Sequence, residues 1–192
     1  MPSLKAGTGK FKIEGQEVRL RVHTNLPANH PFYAMVGRVA SEWSNLEHTL
    51  DLIIWDLVSF RASGLGANVV ACVTSQIMGV APRCKVIALL ASHYHLPEKT
   101  VLKPTRKLMS DSYVAADRRA RFVHDPWYMD FDTGQPAQFK AMPYSEPEYG
   151  YKDITKDALD QAISEIQSLR DRASKLRSNV SDALQAFARK LA

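Results

Sequence analysis

The sequence predicts a mostly α-helical chain: a four- to five-helix bundle with one or two small β-hairpin additions. Three observations carry that expectation. Val36, Val39, Trp43, Leu46, Leu50, Ile53 and Leu57 follow strict 3-4-3-4 spacing, the apolar seam of a helix that faces other helices. A second seam runs from Leu159 through Ile163, Ile166, Leu169, Ala173, Leu176, Val180, Leu184 and Phe187 to Leu191. Between the two, glycines and prolines divide the chain into shorter apolar-periodic lengths, as helix stops and starts require.

The bounds agree with a globular protein. The chain has 192 residues, 45% of them hydrophobic and 23% charged, enough for one domain with a real core. No apolar run approaches the ~20 residues of a membrane span. The strongest run, Leu50 to Phe60, is interrupted by Asp51 and Asp56, and the N-terminus lacks the apolar segment of a secretory signal. A cytoplasmic protein without a membrane partner is the expectation. Cys72 and Cys84 form no disulfide framework; in their apolar helical contexts both read as buried free thiols. The net charge of +5 permits a polyanion partner without identifying one.

Four segments follow. Residues 1–30 hold a slightly basic tail and a β-hairpin, because Phe11 to Val22 alternates apolar and polar on both sides of Gly15. Residues 31–127 form the bundle core. Its first helix, Phe32 to Phe60, opens after the breaker cluster Leu26-Pro27-Ala28-Asn29-His30-Pro31. Glu42 and Glu47 flank its seam, within reach of a buried cation on a neighbour, with solvation the alternative, more so for Glu42 than for Glu47.

Ser63-Gly64-Leu65-Gly66 breaks the chain before an apolar second helix, Ala67 to Met78, which Gly79 closes. Arg83 to His95 is the third helix, with Pro82 in its first turn. His93 and His95, two residues apart, point to different faces of that helix, and no Asp, Glu or Cys completes a metal-ligand set with them. A fourth helix starts between Lys99 and Pro104 and ends at Val123, because Asp125 precedes Pro126 and is pushed out of the α region. Thr105, Leu108, Ser112, Ala115, Arg119 and Phe122 make one inward row of it, and Met109, Tyr113, Ala116, Ala120 and Val123 the row beside it. Lys107, Asp111, Val114, Arg118 and Arg121 fall on the opposite, solvent side.

Residues 128–153 read as an insertion: a hairpin from Tyr128 to Met142 around Thr133-Gly134-Gln135-Pro136, then an aromatic loop from Pro143 to Tyr151. Residues 154–192 form a long last helix with Thr155 as N-cap, about 54 Å long for about 36 residues. That exceeds what the other helices need, so part of it is expected to overhang and pair with a second chain.

Chemistry concentrates in Asp117-Arg-Arg-Ala-Arg-Phe-Val-His-Asp125. Arg119, on the inward row, carries a charge that it cannot shed and that needs an acidic partner, backbone carbonyls or a ligand. His124 lies in the last turn, where the helix dipole favours a cation, and Asp125 stands beside it to orient the ring. On a straight helix residues five apart diverge by about 140°, so the pair meets only if the proline-forced end lets His124 swing. A fixed guanidinium beside an imidazole suits phosphodiester chemistry without a metal or other cofactor. The arginine binds the phosphate and the histidine moves a proton. The competing reading makes Arg119 a structural arginine paired with Glu42 or Glu47, and His124 a dipole-satisfying residue. Further basic residues, Lys103, Arg106 and Lys107 on the fourth helix and Arg170, Arg172, Lys175, Arg177, Arg189 and Lys190 on the last, form a surface that could draw RNA by its phosphates, with solvated helix faces the alternative.

An all-helical bundle with Arg-Ala-Arg-Phe-Val-His at the end of a late helix resembles the HEPN superfamily, whose motif is Arg-x4-6-His. Arg119 and His124 match the motif ends, Arg118 also satisfies the looser spacing, and Pro31 to Trp127, about half of the chain, corresponds to the family's core. The resemblance implies a metal-independent endoribonuclease, often of a defence or toxin system, with a composite site at a homodimer interface and an antitoxin or other regulatory protein as partner. Arg119 and His124 would be catalytic, Arg118 and Arg121 auxiliary phosphate contacts, and Glu47 and Asp125 orienting groups. Ala120 stands where the family usually has a polar residue such as Asn. Some members are non-catalytic nucleotide- or partner-binding modules, and that reading stands as the alternative, with a purely structural helical oligomer as the third.

Overall fold

In the computed structural model, which describes residues 10–13, 16–19, 23–60, 67–142 and 148–191, the two predicted seams become the centre of one core. Helix α1 (Pro31–Ser59) starts where Pro31 sits in the first turn, a position that needs no N–H. His30 caps it, its Nδ1 accepting the Phe32 N–H at 3.3 Å. Its buried residues are Val39, Trp43, Leu46, Leu50, Ile53, Ile54 and Leu57, which is the predicted seam with Ile54 added and with Val36 only half-buried. Helix α5 (Lys156–Leu191) is capped as expected, with the Ala158 N–H donating to Thr155 Oγ1 at 3.2 Å. Its seam is buried from Leu159 to Leu184, and the Phe187 ring packs tilted against both Tyr94 and Phe60.

The expected overhang of α5 therefore does not occur. Helix α1 lies against α5 and also against α2 (Ala67–Ser75), α3 (Val80–His93) and α4 (Lys103–His124), while α4 closes on α3 and α5. Five helices share the core, and together they cover the seam of α5 from Leu159 to Leu184. Helix α3 begins after Gly79, whose φ of 84° lies in the region that an L side chain avoids. A π-helical turn (Glu98–Leu102) leads into α4 and buries Val101 and Leu102.

The strands form two antiparallel sheets. Strands β1 (Lys10–Ile13) and β2 (Gln16–Arg19) make the predicted N-terminal hairpin. Strands β3 (His23–Asn25), β4 (Trp127–Asp130), β5 (Pro136–Met142) and β6 (Glu148–Asp153) make a second sheet in the order β3-β4-β5-β6. Its central pair is the second predicted hairpin. The edges correct the sequence reading: Glu148 to Tyr151 belongs to β6 and not to a loop, and β3 ties the N-terminal segment to the insertion. Both edges lack a complete alternating pattern of their own, and both are held by pairing with a neighbour. The tail to residue 9, the Gly15 turn, the Ser63-Gly64-Leu65-Gly66 break and residues 143–147 of the predicted loop lie outside the described residues.

Further corrections concern single positions. Cys84 is buried, and burial pushes its thiol up to about 12, whereas Cys72 is exposed on α2. Tyr113 is 54% exposed despite its place in the second apolar row of α4, whereas Met109 and Ala116 of the same row pack against the core. Among the described residues no helix is long and apolar enough to cross a membrane, and no three His, Cys, Asp or Glu residues stand where they could hold a metal ion.

Candidate functional site

The end of α4 is built by the second sheet. An α-helix leaves its last carbonyls without intrahelical partners. Here the Asp125 N–H and Gln138 Nε2 both donate to the Arg121 carbonyl, at 2.9 and 3.1 Å. The indole N–H of buried Trp127 donates to the Phe122 carbonyl at 3.0 Å, with the two rings stacked at 6.3 Å. Asp125 is extended, as a residue before proline should be. These bonds cap the helix with backbone and sheet side chains. The imidazole of His124 is not needed for that task and stands exposed.

Arg119 Nη1 lies 3.3 Å from His124 Nε2. The helix stays regular through His124, so the expected swing of the histidine is not what joins them. The reach of two long side chains across the last turn does. The contact is a hydrogen bond only while Nε2 carries no proton, since a guanidinium has donors alone. Arg119 Nε is buried and without a hydrogen-bond partner among the described residues.

The other arginines behave differently. Arg118 Nη1 lies 2.8 Å from both carboxylate oxygens of Glu165 on α5, and Arg121 Nε donates to Asp117 at 3.0 Å. Arg106 donates to Glu98 at 2.6 Å. Of the four arginines of α4, Arg119 is the one with no carboxylate partner among the described residues. The side read as solvent-facing in fact meets α5: beside Arg118, Asp111 binds Arg172 at 2.9 Å. On α5, Arg170 pairs with Glu42 at 2.7 Å and Arg177 with Asp56 at 2.8 Å. Much of the basic excess is thus spent on joining helices. Glu42, expected to be the more solvated of the two glutamates, has a side chain only 14% exposed.

The predicted site residues separate onto two sides of α4. Arg118, Arg121 and Asp125 line a cavity of about 500 Å³ together with Gln138 and Lys152. Arg119 and Glu47 line a groove of about 360 Å³ between α1, the α2–α3 turn, α3 and α4. Arg118, Arg121 and Asp125 are therefore placed apart from Arg119, and neither Glu42 nor Glu47 takes it as an ion-pair partner. The buried structural arginine of this fold is Arg83, which the sequence reading passed over. Its Nε and Nη2 donate to the two oxygens of Asp51 at 2.8 and 3.3 Å, and its Nη1 to the Gly79 carbonyl at 3.1 Å. The signal was available: Asp51 and Asp56 interrupt the apolar run of α1, and a carboxylate there needs a cation.

No family model, curated protein or solved structure matches this chain. What the site can do therefore rests on its own chemistry. It offers a guanidinium not committed to a carboxylate, an exposed imidazole in contact with it, and a groove that the arginine helps to line.

Proposed function

We propose that this chain is a HEPN-like, metal-independent endoribonuclease in which Arg119 and His124 carry the reaction. The observation that supports it most is the 3.3 Å contact between His124 and the one arginine of α4 that reaches no carboxylate among the described residues. A structural arginine at this place would be neutralised, as Arg83 is by Asp51.

In the proposed reaction Arg119 binds the scissile phosphate and stabilises the charge that builds on its oxygens. As Arg119 turns its donors from His124 to the phosphate, the freed lone pair of unprotonated His124 Nε2 takes the proton of the ribose 2'-OH. The O2'–P bond forms and the P–O5' bond breaks, leaving a 2',3'-cyclic phosphate and a 5'-hydroxyl. The leaving oxygen is protonated by the imidazolium of a second Arg–His pair, brought by a facing copy of the chain in a homodimer. Arg118 and Arg121, held by Glu165 and Asp117, are not assigned to the phosphate.

The test is cleavage of mixed RNA in EDTA by the wild type, Arg119→Ala and His124→Ala, with solution mass measured alongside. Chelator-resistant cleavage is expected from a dimer and should fall by about 100-fold or more in each folded variant. Intact RNA with the wild type, across varied substrates, would remove the enzyme reading. Ala120 favours a second reading, a nucleotide-binding module without catalysis, because it puts no hydrogen-bonding group beside Arg119. Retained RNA or nucleotide binding without cleavage would select that one.

A further inference from the structure

We infer that the groove beside Arg119 is a base-recognition subsite selective for guanine. The inference takes its phosphate end from the proposed Arg119–His124 site. Its base end stands on separate observations.

The groove's volume, about 360 Å³, lies within the range of small-molecule sites. Trp43, Ile77, Met78 and Ala116 supply apolar wall, and Met78, 82% exposed, is a polarizable, adaptable side chain suited to the face of an aromatic ring. An aromatic ligand therefore fits the lining better than a sugar or a bare phosphate would.

The polar groups set which one. Arg83 donates hydrogen bonds to Asp51 and the Gly79 carbonyl, and its Nη1 stands in an ion pair with Glu47 Oε1 at 3.6 Å, longer than a hydrogen bond. Glu47 accepts no hydrogen bond among the described residues, and its side chain is 25% exposed on the groove. Arg83 is shared between Asp51 and Glu47, so the three groups together keep one negative charge, and the oxygens of Glu47 keep their capacity to accept hydrogen bonds. Glu47 is left as a carboxylate at one place in the groove and Arg119 as a guanidinium at another. That is the complement of a nucleotide bearing hydrogen-bond donors at one end and a phosphate at the other.

A carboxylate is an acceptor only. Guanine presents two adjacent donors, N1–H and N2–H2, which match its two oxygens. Adenine and cytosine each set a ring acceptor beside their amino group, and uracil flanks its single N–H with two carbonyls. None of the three offers two adjacent donors, so none can engage both oxygens of Glu47 without setting a lone pair against one of them.

The experiment measures binding of the guanosine, adenosine, cytidine and uridine monophosphates, as both 3' and 5' isomers, to wild type and Glu47→Gln. Binding of a guanosine nucleotide at least about tenfold tighter than the others is expected, and Glu47→Gln should erase the difference, because an amide sets a donor against one of guanine's donors. Equal binding of the four bases, or a guanine preference that survives in folded Glu47→Gln, would overturn the inference. Wild-type protein alone gives an independent check: a guanosine nucleotide must shift the NMR signals of the Met78 methyl and the Trp43 indole, and unshifted signals count against the subsite. Cleavage mapping separates the two proposals. Cleavage without regard to guanine sinks the subsite and leaves the nuclease, whereas guanine binding with no cleavage sinks the nuclease and leaves the subsite.

Discussion

Four arginines occupy α4, and the carboxylate within reach separates them. Arg106, Arg118 and Arg121 are each within about 3 Å of a glutamate or aspartate, while Arg119 meets an imidazole. That difference was only partly legible. Helical phase assigns Arg119 to the row of Leu108, Ser112, Ala115 and Phe122, and those neighbours are buried while Arg119 is half-buried. Phase could not say that Arg118 meets Glu165, because the two residues are 47 apart in the chain and their approach depends on how α5 lies on α4. The cysteines divide in the same way. Both sit in apolar stretches, yet α2 turns Cys72 outward, and burial raises Cys84 to about 12. An alkylating reagent at neutral pH should modify one thiol of the native protein, Cys72, and reach Cys84 only after denaturant is added; mass spectrometry of the labelled peptides decides it. Rapid native labelling of Cys84 would contradict the packing of α3.

At the scale of elements, punctuation was the most readable part of the chain. Pro31, Pro126 and Thr155 mark real helix ends, since each acts through local geometry: a missing N–H, a restricted preceding residue, a side-chain cap. Gly79, expected to close the second helix after Met78, instead opens α3, because α2 already ends at Ser75. Strand β6 was not readable because its pairing partner β5, and not its own composition, makes it a strand. The junction of α4 and α5 adds a pH dependence. The Lys107 side chain, then Arg172, holds the Asp111 carboxyl below its ordinary value of 3.8. A depressed folded-state value contributes stability above the unfolded pKa, and that contribution disappears as pH falls through the folded value. Asp111→Asn should therefore lower the melting temperature slightly at neutral pH, with the gap to wild type closing below about pH 4. A gap independent of pH would show that the residue acts by packing.

For the whole molecule, α5 decides the architecture. Its seam is covered from Leu159 to Leu184 within one chain, so no second chain is needed to bury it. Leu176, 2% exposed in the second half of α5, tests this directly. Leu176→Ala should cost about 2–5 kcal/mol in chemical denaturation. A loss under about 1 kcal/mol, the size of a surface change, would mean that this half of the helix is not seated. The same covering limits where a homodimer could form: it must use a surface other than the α5 seam, and the rim that carries Arg119 and His124 is the surface the proposed reaction requires.

The sequence by itself determined the helical class, both long seams, two hairpins, most helix ends, and Arg119 and His124 as the residues to watch. All of these follow from short-range rules, the 3.6-residue period and the geometry of proline, glycine and caps. Only the tertiary structure decided that the Gln138 and Trp127 side chains cap α4 in place of His124, that most of the α4 arginines are neutralised, and that Glu47 looks into a groove shared with Arg119. Each of those depends on residues far apart in sequence meeting across packed elements, and no local periodicity carries that information.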